Sequence, residues 1–244
     1  MNCQPDLRRL VYNWLNSSQI CLLCDEPSEA PYPLCLACEA DLPWLEAQCE
    51  TCALPVLGPT VMCEPCRVRP PAFTQVIAPW RYEFPVDSLV TRFKHRAKWP
   101  LGRLLGELFS RHLRYRFDEG LEPPDLLLPV PLAKKRLRER GFNQAAMLAG
   151  WIGNALKIPS DNLQLLRLKE TPPQQGLDAR ARKRNLRDAF ALRDSERLQG
   201  MHVALIDDVL TTGATADGLA RLLLKAGAQR VDVYCLARTP SPQD

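Results

Sequence analysis

The sequence has no long apolar run, although 46% of its 244 residues are hydrophobic. No stretch approaches the roughly 18 consecutive apolar residues that a membrane-spanning helix requires. The N-terminal segment carries two arginines but no continuous apolar stretch, which argues against a secretory signal. It predicts instead a short amphipathic helix over residues 1–18, and we expect a cytoplasmic protein whose thiols stay reduced.

Histidine is also scarce. The three copies, His95, His112 and His202, show no spacing typical of metal ligands, and we interpret them as structural or exposed. No side chain stands out as a general base for an acceptor molecule. The net charge is only +4, so the informative features are local: the order of the cysteines, two basic clusters and one acidic pair.

Eight of the ten cysteines follow a regular pattern. They form two units of two CxxC pairs, with ten residues between the pairs of a unit, and the unit recurs 28 residues later. The eight residues are Cys21, Cys24, Cys35, Cys38, Cys49, Cys52, Cys63 and Cys66. Two CxxC turns can bring four thiolates to one tetrahedral zinc ion at about 2.3 Å, and a site closed in this way is structural. The pattern therefore predicts a zinc module over residues 19–70 that holds one or two ions.

Two other interpretations of these cysteines fit the sequence less well. A disulfide scaffold needs an oxidising compartment, which the N-terminal segment argues against. A thioredoxin-like pair needs one CxxC at the start of a helix in a βαβ unit, whereas four pairs lie here in a proline-rich segment. Spacing leaves open whether the pairs close in series or interleave, and the shorter loops favour series pairing. Cys235, in the apolar run VDVYCLA, is interpreted as a small buried residue.

The remainder of the chain, residues 71–244, alternates between strand-like and helical patterns. Apolar runs predict strands over 72–82, 125–131, 163–168, 202–206 and 230–237. Helical spacing predicts helices over 85–96, 101–117, 143–156 and 215–226. The alternation predicts an α/β domain with a mainly parallel sheet flanked by helices, in which ligands bind at the carboxyl ends of the strands.

The stretch VALIDDVLTTGAT places Asp207 and Asp208 at the predicted end of a buried strand, just before a predicted helix. The loop that opens this helix consists of Thr211, Thr212, Gly213, Ala214 and Thr215. Hydroxyls and successive backbone N–H groups at a helix N-terminus favour a phosphate. Two carboxylates would repel that phosphate but suit sugar hydroxyls, Mg²⁺ or a developing positive charge. The stretch therefore predicts a ribose 5-phosphate site, and the alternative is an ordinary acidic strand end followed by a capping threonine.

Two basic clusters accompany this stretch. The first comprises Lys134, Lys135, Arg136, Arg138 and Arg140. The second comprises Arg180, Arg182, Lys183, Arg184 and Arg187. Either cluster alone could be a solvated face, but two in one domain favour an anionic ligand, either phosphate or nucleic acid.

The string DDVLTTGAT resembles the phosphoribosyl diphosphate (PRPP) motif of type I phosphoribosyltransferases. Four further motifs resemble the ComF/GntX family: Pro129-Val-Pro131, Arg140-Gly-Phe-Asn-Gln144, Thr171-Pro-Pro-Gln-Gln-Gly-Leu177, and Arg182-Lys-Arg-Asn185 followed by Ala189-Phe190. That family also carries N-terminal cysteine pairs, so the resemblance spans nearly the full chain. It implies a type I phosphoribosyltransferase fold behind a zinc-binding module. It also implies a link to natural transformation or to the use of external DNA as a nutrient.

The resemblance implies roles for individual residues. The loop 211–215 would hold the 5-phosphate of PRPP, while Asp207 and Asp208 would contact the ribose hydroxyls and act as catalytic residues that stabilise an oxocarbenium-like state. Mg²⁺ would accompany the pyrophosphate. The first basic cluster, in a loop predicted after Pro131, supplies candidate pyrophosphate ligands, and the sequence leaves open which of the five point inward.

Three other segments have predicted roles. Lys94 could also reach the diphosphate, but an exposed helical lysine is the favoured interpretation. Arg167 and the segment 171–177, with Arg180 and Arg184, are predicted to form a mobile lid that excludes water. Residues 141–144 would position either the acceptor or the adjacent helix.

The leading hypothesis is an enzyme that transfers phosphoribosyl from PRPP to an unidentified acceptor, such as a base or nucleotide from imported DNA. The second is a PRPP-sensing protein without catalysis. The third is a single-stranded-DNA-binding protein, in which Trp44, Trp80 or Trp99 could stack on bases, although each also suits a core position. A protein of the DNA-uptake machinery is a further expected partner.

Overall fold

The computed structural model describes residues 19–56, 61–168 and 189–240. The helix predicted over 1–18 and the lid segment predicted over 171–177, with Arg180 and Arg184, lie outside these residues. The chain divides into two compact units, of which one ends at Leu42 and the other begins at Pro43. The second half of the cysteine pattern therefore belongs to the same unit as the α/β domain. The domain boundary expected near residue 70 stays a prediction.

The elements of the described residues follow in chain order. The strands are β1 (Gln19–Ile20), β2 (Pro27–Ser28), β3 (Val76–Ile77), β4 (Trp80–Arg81), β5 (Leu126–Pro129), β6 (Leu165–Arg167), β7 (Phe190–Leu192), β8 (His202–Leu210) and β9 (Arg230–Arg238). The helices are α1 (Leu36–Ala40), α2 (Glu64–Val68), α3 (Val86–Arg96), α4 (Trp99–Asp118), α5 (Lys134–Arg140), α6 (Gln144–Leu156) and α7 (Ala214–Lys225). In the first unit, β1 and β2 pair antiparallel.

A parallel sheet forms the centre of the second unit. Its strand order is β3-β9-β8-β5, and β4 also pairs in parallel with β9, which confirms the predicted α/β class with a mainly parallel sheet. The single strand predicted over 72–82 is wrong, because Ala78 and Pro79 separate β3 from β4. Proline has no N–H to give to a strand ladder, which limits both strands to short pairs. β6 and β7 pair with each other, outside this sheet.

Apolar side chains cover both faces of the sheet. On one face, Val203 and Leu205 of β8 lie in a buried cluster with Leu219 and Leu223 of α7. On the other face, α6 contacts β5 and β8, and α4 packs against α6. A parallel strand covered on both faces needs apolar residues throughout, which is why residues 203–206 form a continuous apolar run. The four predicted helices of this domain are confirmed to within two residues at each end.

The strand β8 is longer than the sequence predicted. The apolar run ends at Ile206, but β8 continues to Leu210, which pairs with Arg238 at the end of β9. Ladder hydrogen bonds join backbone groups, so two acidic side chains do not stop the strand. Asp207 and Asp208 consequently lie within β8 rather than after it.

Two of the histidines have structural contacts, as one of the two interpretations expected: His202 is buried and His112 is half-buried. His202 Nε2 lies 3.0 Å from Asp232 Oδ2 at the start of β8, away from the carboxyl edge of the sheet. The ring of His112 stacks on Trp44, and burial, followed by the charge of Arg116, lowers its pKa to about 4. Among the helices that the structure describes, none has both the length and the apolar character needed to cross a bilayer.

Candidate active site and metal centres

The cysteines form two tetrads that close in series. The first tetrad is Cys21, Cys24, Cys35 and Cys38, and the second tetrad is Cys49, Cys52, Cys63 and Cys66. Within each tetrad all sulfur atoms lie within 4.8 Å of one another. The Sγ–Sγ distance is 3.7 Å between Cys24 and Cys35 and 3.5 Å between Cys52 and Cys63. Four sulfurs at about 2.3 Å from a tetrahedral ion are about 3.8 Å apart, so both tetrads fit zinc.

Backbone amides prepare one cysteine in each tetrad as a thiolate. Burial by itself would raise the pKa of Cys21, but backbone N–H groups of Cys35, Cys24 and Leu23 outweigh it and lower the pKa to about 6. In the same way, backbone N–H groups around Cys49 outweigh burial and lower its pKa to about 7. The thiolate is the form that binds a metal, so the local backbone favours metal binding in both tetrads.

The acidic pair lies near the carboxyl end of β8. Asp207 and Asp208 are adjacent in the strand, and their side chains are close enough to interact electrostatically. Asp207 Oδ1 accepts a hydrogen bond from the backbone N–H of Asp208 at 2.9 Å. Burial and, next, the neighbouring Asp208 carboxylate raise the pKa of Asp207 to about 8. The raised pKa favours the protonated form of Asp207 near neutral pH in the absence of a ligand.

Lys94 on α3 forms an ion pair with Asp208. Its Nζ lies 3.0 Å from Asp208 Oδ2, and the two side chains are 18% and 5% exposed. The interpretation of Lys94 as an exposed helical lysine is therefore wrong. A sequence signal for its position exists, because Lys94 follows Val90 by four residues and so borders the buried stripe that includes Val90 and Phe93.

The loop that follows β8 leads directly into α7. Gly213 has a φ of 73° and precedes the first helical residue, Ala214, whose N–H donates to Thr212 Oγ1 at 3.4 Å. The first backbone N–H groups of a helix have no partner within the helix and can bind an anion. The loop 211–215, which we call the phosphate loop, therefore has the geometry of an anion site at the carboxyl edge of the sheet.

The first basic cluster is helical. It was expected in a loop, but residues 134–140 form α5, which begins after Ala133 and ends at Gly141 with a φ of 81°. Helical geometry separates the five cations: Arg136 and Arg140, four residues apart, line a cavity of about 670 Å³, whereas Lys134, Lys135 and Arg138 do not. The complete lining of this basic cavity is Lys94, His95, Arg96, Ala97, Arg136, Glu139 and Arg140.

The basic cavity lies beside the acidic pair. Lys94 lines the cavity and forms the ion pair with Asp208. Burial lowers the pKa of Arg140, and the charge of Asp208 opposes that shift.

Asn143 positions helix α6. Its side chain accepts a hydrogen bond from Ala145 N at 3.0 Å, and its Nδ2 donates to the carbonyl of Val130 at 3.1 Å. Of the two roles considered for residues 141–144, the structure therefore supports positioning of the adjacent helix.

Arg238, the last residue of β9, was missed by the sequence analysis. The residue is 6% exposed, and its guanidinium donates to the carbonyl oxygens of Leu210, at 3.1 Å, and of Thr211. The only sequence signal is a charged residue that closes the apolar run VDVYCLA. Nothing in that signal indicates which backbone groups the arginine meets.

The comparison with known proteins agrees with this fold. The family model described as "Phosphoribosyl transferase domain" matches residues 145–244. The chain is 34% identical to the DNA utilization protein YhgH of Salmonella typhimurium over 222 residues, which cover 90% of this chain and 97% of that protein. It is 35% identical to competence protein F of Haemophilus influenzae over 178 residues, which cover 72% of this chain and 78% of that protein.

Solved structures show weaker similarity. A purine phosphoribosyltransferase from Pyrococcus horikoshii is 18% identical, with a TM-score of 0.35, over 55% of this chain and 73% of that chain. The sequence relatives are aligned over most of their own length. The chain therefore belongs to the ComF family of proteins with a phosphoribosyltransferase domain.

Proposed function

We propose that the protein binds PRPP with Mg²⁺ and transfers its phosphoribosyl group to an acceptor that remains to be identified. One arrangement carries the proposal: the Lys94–Asp208 ion pair joins the basic cavity to the strand that leads into the phosphate loop. PRPP carries a monophosphate and a diphosphate on opposite sides of a ribose. The site offers an anion-binding loop and a cavity lined by cations, with two carboxylates between them.

Each part of PRPP has a partner in this proposal. The phosphate loop holds the 5-phosphate through backbone N–H groups and threonine hydroxyls. Asp207 and Asp208 accept hydrogen bonds from the ribose hydroxyls. Arg136, Arg140 and Lys94 hold the pyrophosphate, for which arginine offers bidentate contacts. Bound Mg²⁺ would neutralise part of the diphosphate charge.

The reaction follows from these contacts. The bond between C1 of the ribose and the pyrophosphate oxygen breaks, and its electron pair leaves with the pyrophosphate. Positive charge develops at C1, where nearby carboxylates are favourable. An acceptor nucleophile then forms the new bond to C1 and releases its proton. No base for that proton stands out among the described residues, so the acceptor's own acidity would decide how readily it reacts.

The proposal extends to the metal centres and to biological context. Each tetrad binds one structural Zn²⁺, which requires a reducing compartment such as the cytoplasm. The printed names of the relatives, DNA utilization protein and competence protein, support a role in natural transformation or in the use of external DNA. A base or nucleotide from that DNA is then a reasonable class of acceptor, and the DNA-uptake machinery a reasonable partner.

Binding and catalysis are tested in two steps. Isothermal titration measures binding of PRPP with Mg²⁺ to the wild type and to the Asp207→Asn/Asp208→Asn variant. The control Asp118→Asn changes an exposed acid at the end of α4, which precedes β5 and so lies toward the opposite edge of the sheet. We expect the double variant to lose binding and the control to retain it. Absence of binding by the zinc-loaded wild type would refute the proposal.

Release of pyrophosphate is then measured with bases, nucleosides and nucleotides as acceptors. Release of pyrophosphate with any of these acceptors distinguishes an enzyme from a PRPP-sensing protein, because a sensor binds PRPP without consuming it.

A role in binding single-stranded DNA has its own support. Trp99 is 53% exposed and packs edge-on against Phe142, close to the cationic helix α5. DNA binding that falls steeply with salt and persists in the Asp207→Asn/Asp208→Asn variant would establish that second function.

A further inference from the structure

Arg238 joins the phosphate loop to a distant segment of the chain. Its Nη1 donates to the carbonyl oxygens of Leu210, at 3.1 Å, and of Thr211, the first residue of the loop. Its Nε donates to the carbonyl oxygen of Cys52 at 2.9 Å. Cys52 belongs to the second tetrad. A single buried side chain therefore contacts both the start of the phosphate loop and a metal-ligand turn.

Only arginine can make this set of contacts. The guanidinium is planar, permanently charged and carries donors that point in different directions, whereas a lysine ammonium cannot reach carbonyl groups on both sides at once. The carbonyl of Leu210 also accepts from the N–H of Thr239 at 3.1 Å, so the end of β8 is fixed from two directions. Together with the bond from Arg238 to the carbonyl of Thr211, these hydrogen bonds hold Thr211 in place at the end of β8.

The Cys52 turn is fixed from the tetrad side. Ala53 N donates to the carbonyl of Cys49 at 2.8 Å, and Ala53 has a left-handed φ of 54°. Three sulfur ligands, Cys52, Cys63 and Cys66, line a cavity of about 330 Å³ whose lining also includes residues 211–214 of the phosphate loop. A metal ion bound by four sulfurs would hold this turn, because metal binding orders its ligand segments.

A second contact connects the same two regions. The backbone N–H of Ala72 donates to Asp217 Oδ1 at 2.7 Å, and Asp217 lies in the first turn of α7. Phe73 packs close to the loop, within 3.9 Å of the place where a Cβ on Gly213 would lie. The chain that leaves α2, which carries Cys66, thus meets the other end of the phosphate loop.

We infer that Arg238 is a positioning residue that couples metal at the second tetrad to the shape of the phosphate loop. Metal fixes the Cys52 carbonyl, that carbonyl orients the guanidinium, and the guanidinium holds Leu210 and Thr211. The consequence for ligand affinity rests on the proposed function, while the consequence for the loop itself does not. Coupling of binding free energies is reciprocal, so zinc that strengthens phosphate binding is itself bound more tightly when phosphate is bound.

Hydrogen exchange tests the coupling without any ligand. Zinc-loaded wild type, Arg238→Lys, Cys63→Ser and Cys35→Ser are compared in a peptide over residues 207–216, with a peptide from α6 as the reference for global stability. We expect Cys63→Ser and Arg238→Lys each to raise exchange in the loop about tenfold, a typical size for coupling between sites. Cys35→Ser, in the separate unit, should leave the loop unchanged.

The matched control is Arg230→Lys, an arginine at the other end of β9 that pairs with Asp232 and Glu122. It should leave exchange in the phosphate loop as in the wild type. Zinc content is measured for every variant, and Arg238→Lys should retain two ions per chain. The inference is overturned if loop exchange in Arg238→Lys equals that of the wild type. It is also overturned if Cys35→Ser and Cys63→Ser affect the loop equally.

Binding of ribose 5-phosphate distinguishes the coupling from the proposed function. We expect about tenfold weaker binding by Arg238→Lys than by the wild type and Arg230→Lys. If the wild type binds neither ribose 5-phosphate nor PRPP, the proposed function fails, and hydrogen exchange alone decides the inference. If binding is present and equal in all three proteins, the function stands and the coupling fails.

Chelation of the wild type covers the case in which Arg238→Lys does not fold. Zinc affinity is measured at equilibrium against a competing chelator, with and without saturating ribose 5-phosphate. The ligand should raise the affinity for one of the two ions about tenfold and leave the other unchanged. Unchanged affinity for both ions in the presence of bound ribose 5-phosphate would overturn the inference.

Discussion

Lys94 Nζ lies 3.0 Å from Asp208 Oδ2, and this ion pair connects helix α3 to strand β8 at the candidate site. It compensates the charge of an aspartate that is 4% exposed. The same lysine lines the basic cavity, so a bound diphosphate would share it with Asp208.

Removing the lysine charge should destabilise the protein. In Lys94→Met the aliphatic stem remains, but Asp208 is left buried without its cation, which costs about 3 kcal/mol of the free energy of unfolding. Chemical denaturation measures this loss. Lys98→Met, at an exposed position just beyond α3, should change stability by less than about 0.5 kcal/mol. In the double variant Lys94→Met/Asp208→Asn most of the loss should disappear, and strictly additive losses would show that the pair does not interact.

Asp207→Asn should stabilise the protein in a pH-dependent way. The pKa of Asp207 is raised to about 8, so the folded state binds more protons than the unfolded state between about pH 4 and 8. Below pH 4 the carboxyl is protonated in both states and asparagine brings no gain. As the pH rises toward 8 the gain grows, and we expect Tm to increase by about 2–4 °C at pH 8. An equal increase at pH 4 and pH 8 would contradict an elevated pKa.

The two arginines at positions 136 and 138 should differ in pyrophosphate binding. Both are exposed on α5, but only Arg136 lines the basic cavity. Arg136→Ala should weaken pyrophosphate binding about tenfold, which corresponds to a loss of about 1.4 kcal/mol. Arg138→Ala serves as the control for the loss of one positive charge from the same helix. Equal weakening by both substitutions, measured by titration calorimetry at fixed salt, would show that only the overall charge matters.

The two tetrads should contribute differently to stability. Cys66 belongs to the buried cluster that also contains the sheet residues Val203 and Leu205, whereas Cys38 lies in the separate N-terminal unit. Cys66→Ser should release one zinc ion and lower the Tm of the α/β unit, because metal binding supplies folding free energy. Cys38→Ser should release one zinc ion and leave that Tm unchanged. Zinc content and calorimetric unfolding of both variants check this prediction.

Gly213→Ala should impair the phosphate loop. A Cβ at Gly213 would meet no atom closer than 3.9 Å, so the cost comes from its φ of 73°, which is unfavourable for alanine by about 1–2 kcal/mol. We expect weaker binding of ribose 5-phosphate and a lower Tm. The control Gly150→Ala lies in helix α6 with open space around it and should raise stability by about 0.5–1 kcal/mol. If both variants lose stability, backbone conformation is not the cause.

The sequence predicted those features that depend on local pattern. Burial on both faces requires continuous apolar runs, which located the cores of β5, β8 and β9. Helical periodicity located α3, α4, α6 and α7. The repeated CxxC spacing left the pairing open and favoured closure in series, which keeps each loop short, and the two tetrads confirm it. The resemblance of DDVLTTGAT to a PRPP motif, together with the four motifs that resemble the ComF/GntX family, identified the family that the relatives also indicate.

The errors arose where contacts between distant residues decide the structure. The ladder with β9 extends β8 beyond Ile206 and places Asp207 and Asp208 inside the strand. Pairing with Asp208 buries most of Lys94, which the sequence analysis interpreted as an exposed helical lysine. The helical turn of α5 places Arg136 and Arg140 at the basic cavity. The sequence could not distinguish them from the other three cations of the first basic cluster.

The sequence by itself therefore determined the fold class, the eight cysteines of the metal-binding pattern and the segment that forms the phosphate loop, because each rests on local pattern. Only the tertiary structure decided how these parts meet. Arg238 contacts the carbonyl of Cys52, from which it is separated by 186 positions in the sequence. A backbone carbonyl has no signature in the sequence. Packing brings the second tetrad and the phosphate loop together, and packing depends on residues far apart along the chain.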